Sequence, residues 1–435
     1  MSHVDLPDQD APDVPITYVG DYVDGVHVLR SPAYVQIRPE SGHGAEYTTV
    51  LAHGTVLHVD GEDHFERRRL LSALFRRRIL DQYESEVLLP SLERTMSELA
   101  VAGSSSDHQV TVDLLDVCRD VLVDLLARLV GLKGLETRAE REVFLEDFAD
   151  YELGFRAKFV EDPAVAVRRA LCAKDRILER HFSPAWEQRT ETVRGVEAGD
   201  LPASALPNDL ITLLITNREH YGRWGNDVAW REALLFMVAS VGSTANALCH
   251  AVADILGWVE ANPEQRGSLR DSAFLDTAFR ESVRLHQTNV LLRTVRTDDT
   301  LPSGRRMPAG SVAAVDRDTI NRGLEARSTC PQERFDPNRE MAVGVHDYGL
   351  AFGDGPHSCI GRTMVMGEYG TSSSRDTGQL QGLAVAVLGH LFSWGAELVP
   401  QSPPEMVPGM NRETWMTFPV VFDMQRMRSS WHASR

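Results

Sequence analysis

Apolar residues fall in long helical blocks over the first two thirds of the chain and in short runs beyond it. From Ala233 to Leu248 they occur almost all round the helical wheel, which predicts a helix buried on every side. Asn226 or Asp227 can cap it, and Pro263 stops it soon after Glu260, giving a rod of roughly 50 Å. Tyr18 to Tyr34 reads as a short strand followed by a helix. His64 to about Ala100 reads as two helices, and Val110 to Leu132 and Arg138 to Phe182 as more. Pro184, Pro202 and Pro207 break the pattern between 183 and 208, and a further helix covers Ser272 to His286. Val290 to Val315 then carries short β-like runs with turns at Pro302–Gly304 and Pro308–Gly310, and Thr414 to Phe422 is β-like again. The expected fold class is mainly α with a minor β region.

Composition narrows this. The chain has 435 residues, 43% of them hydrophobic, with no linker, repeat or low-complexity run that would divide it. One large domain, 16–435, is expected behind a polar, disordered lead, 1–15. A net charge of −18 disfavours a nucleic-acid partner, whose phosphates demand a basic surface. Five cysteines (118, 172, 249, 330 and 359) contain no C-x-x-C pair, which points to a reducing compartment. No apolar stretch is expected to reach the ~18 residues that cross a membrane, and no secretory leader is legible. The expectation is a soluble, cytoplasmic protein with no membrane partner.

The chemistry concentrates in Phe352-Gly-Asp-Gly-Pro-His-Ser-Cys-Ile-Gly361. A thiolate held in a Gly/Pro loop, with backbone N–H groups turned toward it, is a metal ligand or a nucleophile. Phe352, Gly355, His357, Cys359 and Gly361 match the pattern F-x-x-G-x-H-x-C-x-G, and the chain here resembles the cytochrome P-450 family. The resemblance implies haem b (iron protoporphyrin IX) with Cys359 as the iron ligand, a thiolate that favours O–O cleavage. It implies that Phe352 shields the sulfur and His357 reaches a haem propionate. Gly355 and Gly361 are expected to allow close backbone approach and positive φ. Two further matches lie upstream. His64 and Arg68 share a helix face and resemble the family's H-x-x-x-R, which holds propionates, as does Arg293, with Arg296 a nearby competitor. Glu281 and Arg284 resemble the E-x-x-R pair, which in the family bonds an arginine of a later segment, here Arg334.

The resemblance implies a haem-thiolate monooxygenase that takes O2 and a small organic substrate. Electrons would come from a ferredoxin and its ferredoxin reductase. Arg76 to Arg78 would border the docking face. Substrate would meet the loop before His64, the middle of the long helix, Asn289 to Leu292 and the turn near Asn411 to Trp415, with Met237, Leu292 and Trp415 as candidate contacts. The oxygen-activating segment departs from the family. Where A/G-G-x-D/E-T-T is usual, Ser240-Val-Gly-Ser-Thr-Ala245 stands here. Thr244 keeps the alcohol, but Ser243 replaces the acid, and serine has no readily ionised proton. Either water and a polar substrate group complete the relay, or the enzyme is an atypical member that couples, cyclises, nitrates or uses peroxide. A haem-binding protein without turnover is the reading from another class. Asn246 is open between orienting a water and a structural role. Two further departures are a shortened front of the fold and a turn-rich insertion, Gly370 to Gly382, read as mobile.

Overall fold

The computed structural model describes residues 15–37, 51–102, 108–155, 162–221, 225, 227–287, 290–324, 330–368, 380–408 and 413–433. The lead 1–14, Asn226, Asn289, Asn411 and most of the insertion lie outside them.

The long helix, Val228–Ala261, runs through the middle of the main hydrophobic core. Ala233, Leu234 and Met237 are fully buried on it, and the Leu114–Val130 helix packs alongside. By length and composition this helix could cross a membrane, contrary to the sequence expectation, but most of its apolar length is buried inside the fold.

The β content is peripheral. A four-stranded sheet runs in the order Ile16–Val19, Val312–Val315, Leu291–Val295, Tyr34–Gln36, with the first pair parallel and the others antiparallel. It has its own small core, built from Val19, Val28, Tyr34, Val295 and Leu350 among others. A second sheet pairs Pro419–Asp423 with Gln109–Asp113 and Glu397–Leu398. The start of the expected Val110–Leu132 helix is therefore a strand. Its alternating burial fits a half-exposed edge, and Asp113 then caps the helix through Leu115 N–H.

Pro184 does not break its helix. The Pro163–Ile177 helix widens into a π turn at Leu178–Phe182 and continues as Ser183–Ala198. Ser183 N–H reaches back to Leu178 C=O, so the missing N–H of the next residue, Pro184, is absorbed. The same arrangement recurs at Glu84–Leu88, just ahead of Pro90.

Two joints tie the Cys359-loop side of the fold together. Glu281 accepts from Arg284 Nε and Nη2 at 2.7 and 2.8 Å and from Arg339 Nε at 2.8 Å. The expected partner, Arg334, is exposed and contributes only its backbone carbonyl, which accepts from Arg339 Nη2 at 2.6 Å. The second joint is the base of the insertion. Gly367 and Gly382, both at positive φ, press together so closely that a Cβ on Gly382 would sit 2.3 Å from Gly367 N. Glu368 N–H bonds Leu380 C=O, so the chain leaves and re-enters at one point.

Candidate active site

The Cys359 loop is shaped by two glycines at positive φ, Gly353 and Gly355. A Cβ on Gly355 would lie 2.2 Å from Leu29 C=O, so only glycine lets the loop close on the Tyr22–Arg30 helix. Arg30 fastens the same contact with two bonds to Asp354, at 2.8 and 3.0 Å. Gly361 differs from expectation. Its φ is −84°, an ordinary value, and its lack of a side chain serves instead to leave space 4.0 Å from the Cys359 sulfur.

Cys359 N–H donates to Phe352 C=O at 2.8 Å, which fixes the direction of the Cα–Cβ bond. Burial pushes the thiol pKa up, against the N–H groups of Gly361 and Arg362 and the charges of Arg68 and Arg362, which all favour the thiolate. Protein surrounds the sulfur closely enough for that burial, yet the residue itself remains accessible. Phe352 stands edge-on to Tyr348 at 5.5 Å. Phe75, which the sequence reading did not single out, comes to 3.9 Å of the Gly361 Cβ position and stacks on Phe236 of the long helix.

Beside the loop lies a cationic group. His64 and His357 have ring centroids 3.9 Å apart, and Arg68 Nη2 is 3.4 Å from Ser358 Oγ. Arg293 is buried, donating to Gln36 Oε1 and Leu292 C=O, whereas Arg296, just past the end of the strand, is exposed. The spacing thus brings His64, Arg68, Arg293 and His357 together as expected. Two members were missed. Asp60 accepts from His357 Nε2 at 3.2 Å, and buried Arg317, whose pKa burial lowers to about 10, donates to Ala351 C=O. Burial, and then the His357 and Arg68 charges, lower His64 to about 4, and burial lowers Arg293 to about 10.

On the long helix, Ala239 and Ser243 are exposed, Val238, Ser240 and Gly242 between and beside them are half-buried, and Thr244 is buried. Ser243 Oγ donates to Ala239 C=O at 2.7 Å, so its proton is committed to the helix. Asn246 is a cross-brace. Its Nδ2 donates to Gly242 C=O, and its Oδ1 accepts Trp415 N–H at 2.8 Å. A carboxylate does approach this turn, from the Arg138–Phe155 helix: Glu152 Oε1 lies 3.5 Å from the Cβ position of Gly242.

Comparison with known proteins places this arrangement. No family model matches the chain. The cyclooctat-9-en-7-ol 5-monooxygenase of Streptomyces melanosporofaciens is 25% identical over 340 residues, which is 71% of this chain and 68% of that one. The crystal structure of P450BioI, in complex with an acyl carrier protein ligated to hexadec-9Z-enoic acid, matches with a TM-score of 0.67 at 16% identity, covering 93% of this chain and 92% of that one. The LnmA cytochrome P450 hydroxylase of the leinamycin pathway in Streptomyces atroolivaceus matches with a TM-score of 0.64 at 19% identity, covering 93% and 89%. The chain is similar in sequence to cytochrome P450s and has their fold.

The residues present fit a haem. His64 Nε2 is buried and, among the described residues, has no hydrogen-bond partner. Burial lowers the pKa of Arg68 and Arg293, and of His64 beside them, and Asp60 is a carboxylate bonded to the group. Two carboxylates at the rim of a ligand are what such a donor set accepts. The accessible thiol, flanked by N–H groups and arginines, fits an anionic sulfur donor.

Proposed function

We propose that the protein is a cytoplasmic haem-thiolate monooxygenase. It transfers one oxygen atom from O2 to a small organic substrate of secondary metabolism and draws electrons from a ferredoxin with its reductase. Domain 16–435 carries the whole site. The cofactor is haem b, which supplies the oxygen-activating chemistry when bound. Cys359 holds its iron; His64, Arg68, Arg293 and His357 hold its propionates; Phe352 and Gly361 shape the loop around the sulfur. The observation that supports this best is the exposed residue Cys359, its sulfur flanked by the N–H groups of Gly361 and Arg362 and the charge of Arg68, with His64 and His357 stacked beside the loop.

The distal residues define the rest. Thr244 offers a hydroxyl beside the substrate space. Ser243 can accept a hydrogen bond, but its own proton lies on Ala239 C=O. Proton supply therefore falls to another group, and Glu152 is a carboxylate within reach of the same helical turn. A polar substrate group or water can complete the path. An atypical oxidation, with coupling or ring closure in place of oxygen insertion, is the second reading, and the committed Ser243 proton favours it.

Two measurements test this. The reduced protein with carbon monoxide should give the thiolate-type Soret band, lost in Cys359→Ala. Turnover under labelled O2 should add one labelled atom to product; product without added oxygen would move the assignment to the second reading.

A further inference from the structure

Four side chains from three elements meet at the C-terminal half of the long helix. His250 and Asp254 come from that helix, His286 follows the Ser272–Leu285 helix, and Glu413 precedes the strand Trp415–Thr417. His286 Nε2 lies 3.1 Å from Asp254 Oδ2, and its Nδ1 bonds the Glu413 carboxylate. His250 stacks on His286 at 4.0 Å with the rings 9° from parallel, and its Nε2 bonds Glu413 C=O at 3.0 Å. The Trp415 ring lies 5.1 Å from the His250 ring.

Imidazoles and carboxylates this close suggest a metal centre, since one donor atom each from His250, His286 and Glu413 lie within 4.8 Å of one another. The ring geometry argues against it. Imidazole lone pairs lie in the ring plane, so near-parallel stacked rings aim them side by side and not at one point. Both nitrogens of His286 also already face carboxylates. Burial disfavours a charge on His286, but bonds to Asp254 and Glu413 outweigh it and raise its pKa to about 9. Burial and the His286 charge hold His250 down at about 4, so a neutral ring lies on a charged one. The other groups acting on the cluster are Ser282, whose Oγ donates to Asp254, and Arg322, which bonds Leu285 C=O and lowers the Glu413 pKa.

The bonds share one direction. Asn246, His250 and Asp254 are successive i, i+4 positions, one stripe of the long helix that begins two residues after Thr244. Asn246 Oδ1 accepts from Trp415 N–H, His250 Nε2 donates to Glu413 C=O, and Asp254 is joined to the Glu413 side chain through His286. We propose that His286, clasped between Asp254 and Glu413, is a positioning residue. It holds residues 413–415 and the Trp415 ring on the long helix, and so sets how large a ligand fits beside Thr244. The pocket role rests on the proposed haem enzyme; the clasp itself does not.

The test uses the full chain and two variants, His286→Gln and Glu413→Gln, the second at an exposed side chain. Hydrogen exchange over 413–417 reads the clasp without turnover, and binding of imidazole and of a bulky aryl imidazole to the ferric haem reads the pocket. Both variants should exchange about tenfold faster there, as expected for losing one bond of about 1.4 kcal/mol. They should bind imidazole as wild type does, but the bulky azole about tenfold tighter. Unchanged exchange overturns the clasp, and faster exchange with wild-type azole preference overturns the pocket role. Zinc-dependent protection of 413–417 in wild type would assign the cluster to a metal instead. A wild-type protein that binds no azole sinks the haem enzyme and the pocket role with it, and the exchange data still separate that failure from failure of the clasp.

Discussion

Replacing Glu281 by Gln keeps the shape of the side chain and removes its charge. Glu281 is 4% exposed and Arg284 is fully buried, so water cannot take over the lost interaction. Glu281 accepts from Arg284, Arg339 and Asp336 N–H, and Arg284 passes the link on to Asn321 C=O and Gln332 C=O. The substitution leaves two guanidinium groups with their facing anion gone. Removing one partner of a buried pair costs about 3–5 kcal/mol, whereas an exposed pair is worth about 0–1 kcal/mol. Against a total stability of about 5–15 kcal/mol that is a large share. Denaturant unfolding of Glu281→Gln should therefore shift far to lower denaturant, with haem content falling in step. Arg339→Ala should behave similarly. Arg334→Ala should stay within about 0.5 kcal/mol of wild type, because its side chain is exposed and only its carbonyl joins the network. A loss below about 1 kcal/mol in Glu281→Gln, or equal losses in the two arginine variants, would refute the assignment of Arg339.

Other outcomes follow from the same geometry. Burial raises Glu232 to about 7, so the native state prefers its carboxyl protonated. Its contribution is full below the ordinary value near 4.5 and is lost as pH rises toward 7; unfolding midpoints at pH 5 and pH 8 should differ less in Glu232→Gln than in wild type. Glu152→Gln should raise peroxide leakage per electron consumed, and Ser243→Asp in that background should reverse the increase; leakage equal to wild type would remove Glu152 from proton supply. Arg76 to Arg78 are exposed, and Arg77 is 3.7 Å from Glu368. Reversing the charges of Arg76 and Arg78 should slow ferredoxin-driven turnover and leave peroxide-driven turnover unchanged, with equal ferredoxin rates counting against a docking role. Alanine at Gly367 or Gly382 should destabilise, since each Cβ would meet backbone atoms closer than 2.7 Å; unchanged unfolding would show that the pinch relaxes freely.

The main features of the fold were legible because they are periodic. The all-round apolar run at 233–248 marked the buried helix, and the Gly-rich turns at 302–304 and 308–310 marked the small sheets. Pro184 misled, because a proline was read as a stop. A single π turn upstream shifts the hydrogen bonding by one residue, and no residue type announces that shift. Asp113 misled for another reason: five strand residues and a helix cap fit the same apolar stretch as one longer helix.

The candidate site divides along the same line. Cys359, His64 with Arg68, and Glu281 with Arg284 were readable because each constellation is local, set by a loop or by one helical turn. Asp60, Phe75, Arg317 and Glu152 were not, because each enters from a distant segment and carries no spacing relative to the residues it joins. Choosing Arg339 over Arg334 needed the φ and ψ values of an irregular coil, where sequence separation says little about direction. Asn246 shows the consequence for mechanism. Two residues past Thr244, a polar side chain reads equally as a water ligand or as a brace, and only its partner decides. Both of its amide ends are occupied, by Gly242 C=O and Trp415 N–H, so it belongs to the wall of the site. With Asn246 occupied and the Ser243 proton committed, neither side chain is free to pass a proton outward, which leaves the proposed proton handling to Thr244. Any further acid must come from outside the helix, whether from Glu152 or from the substrate.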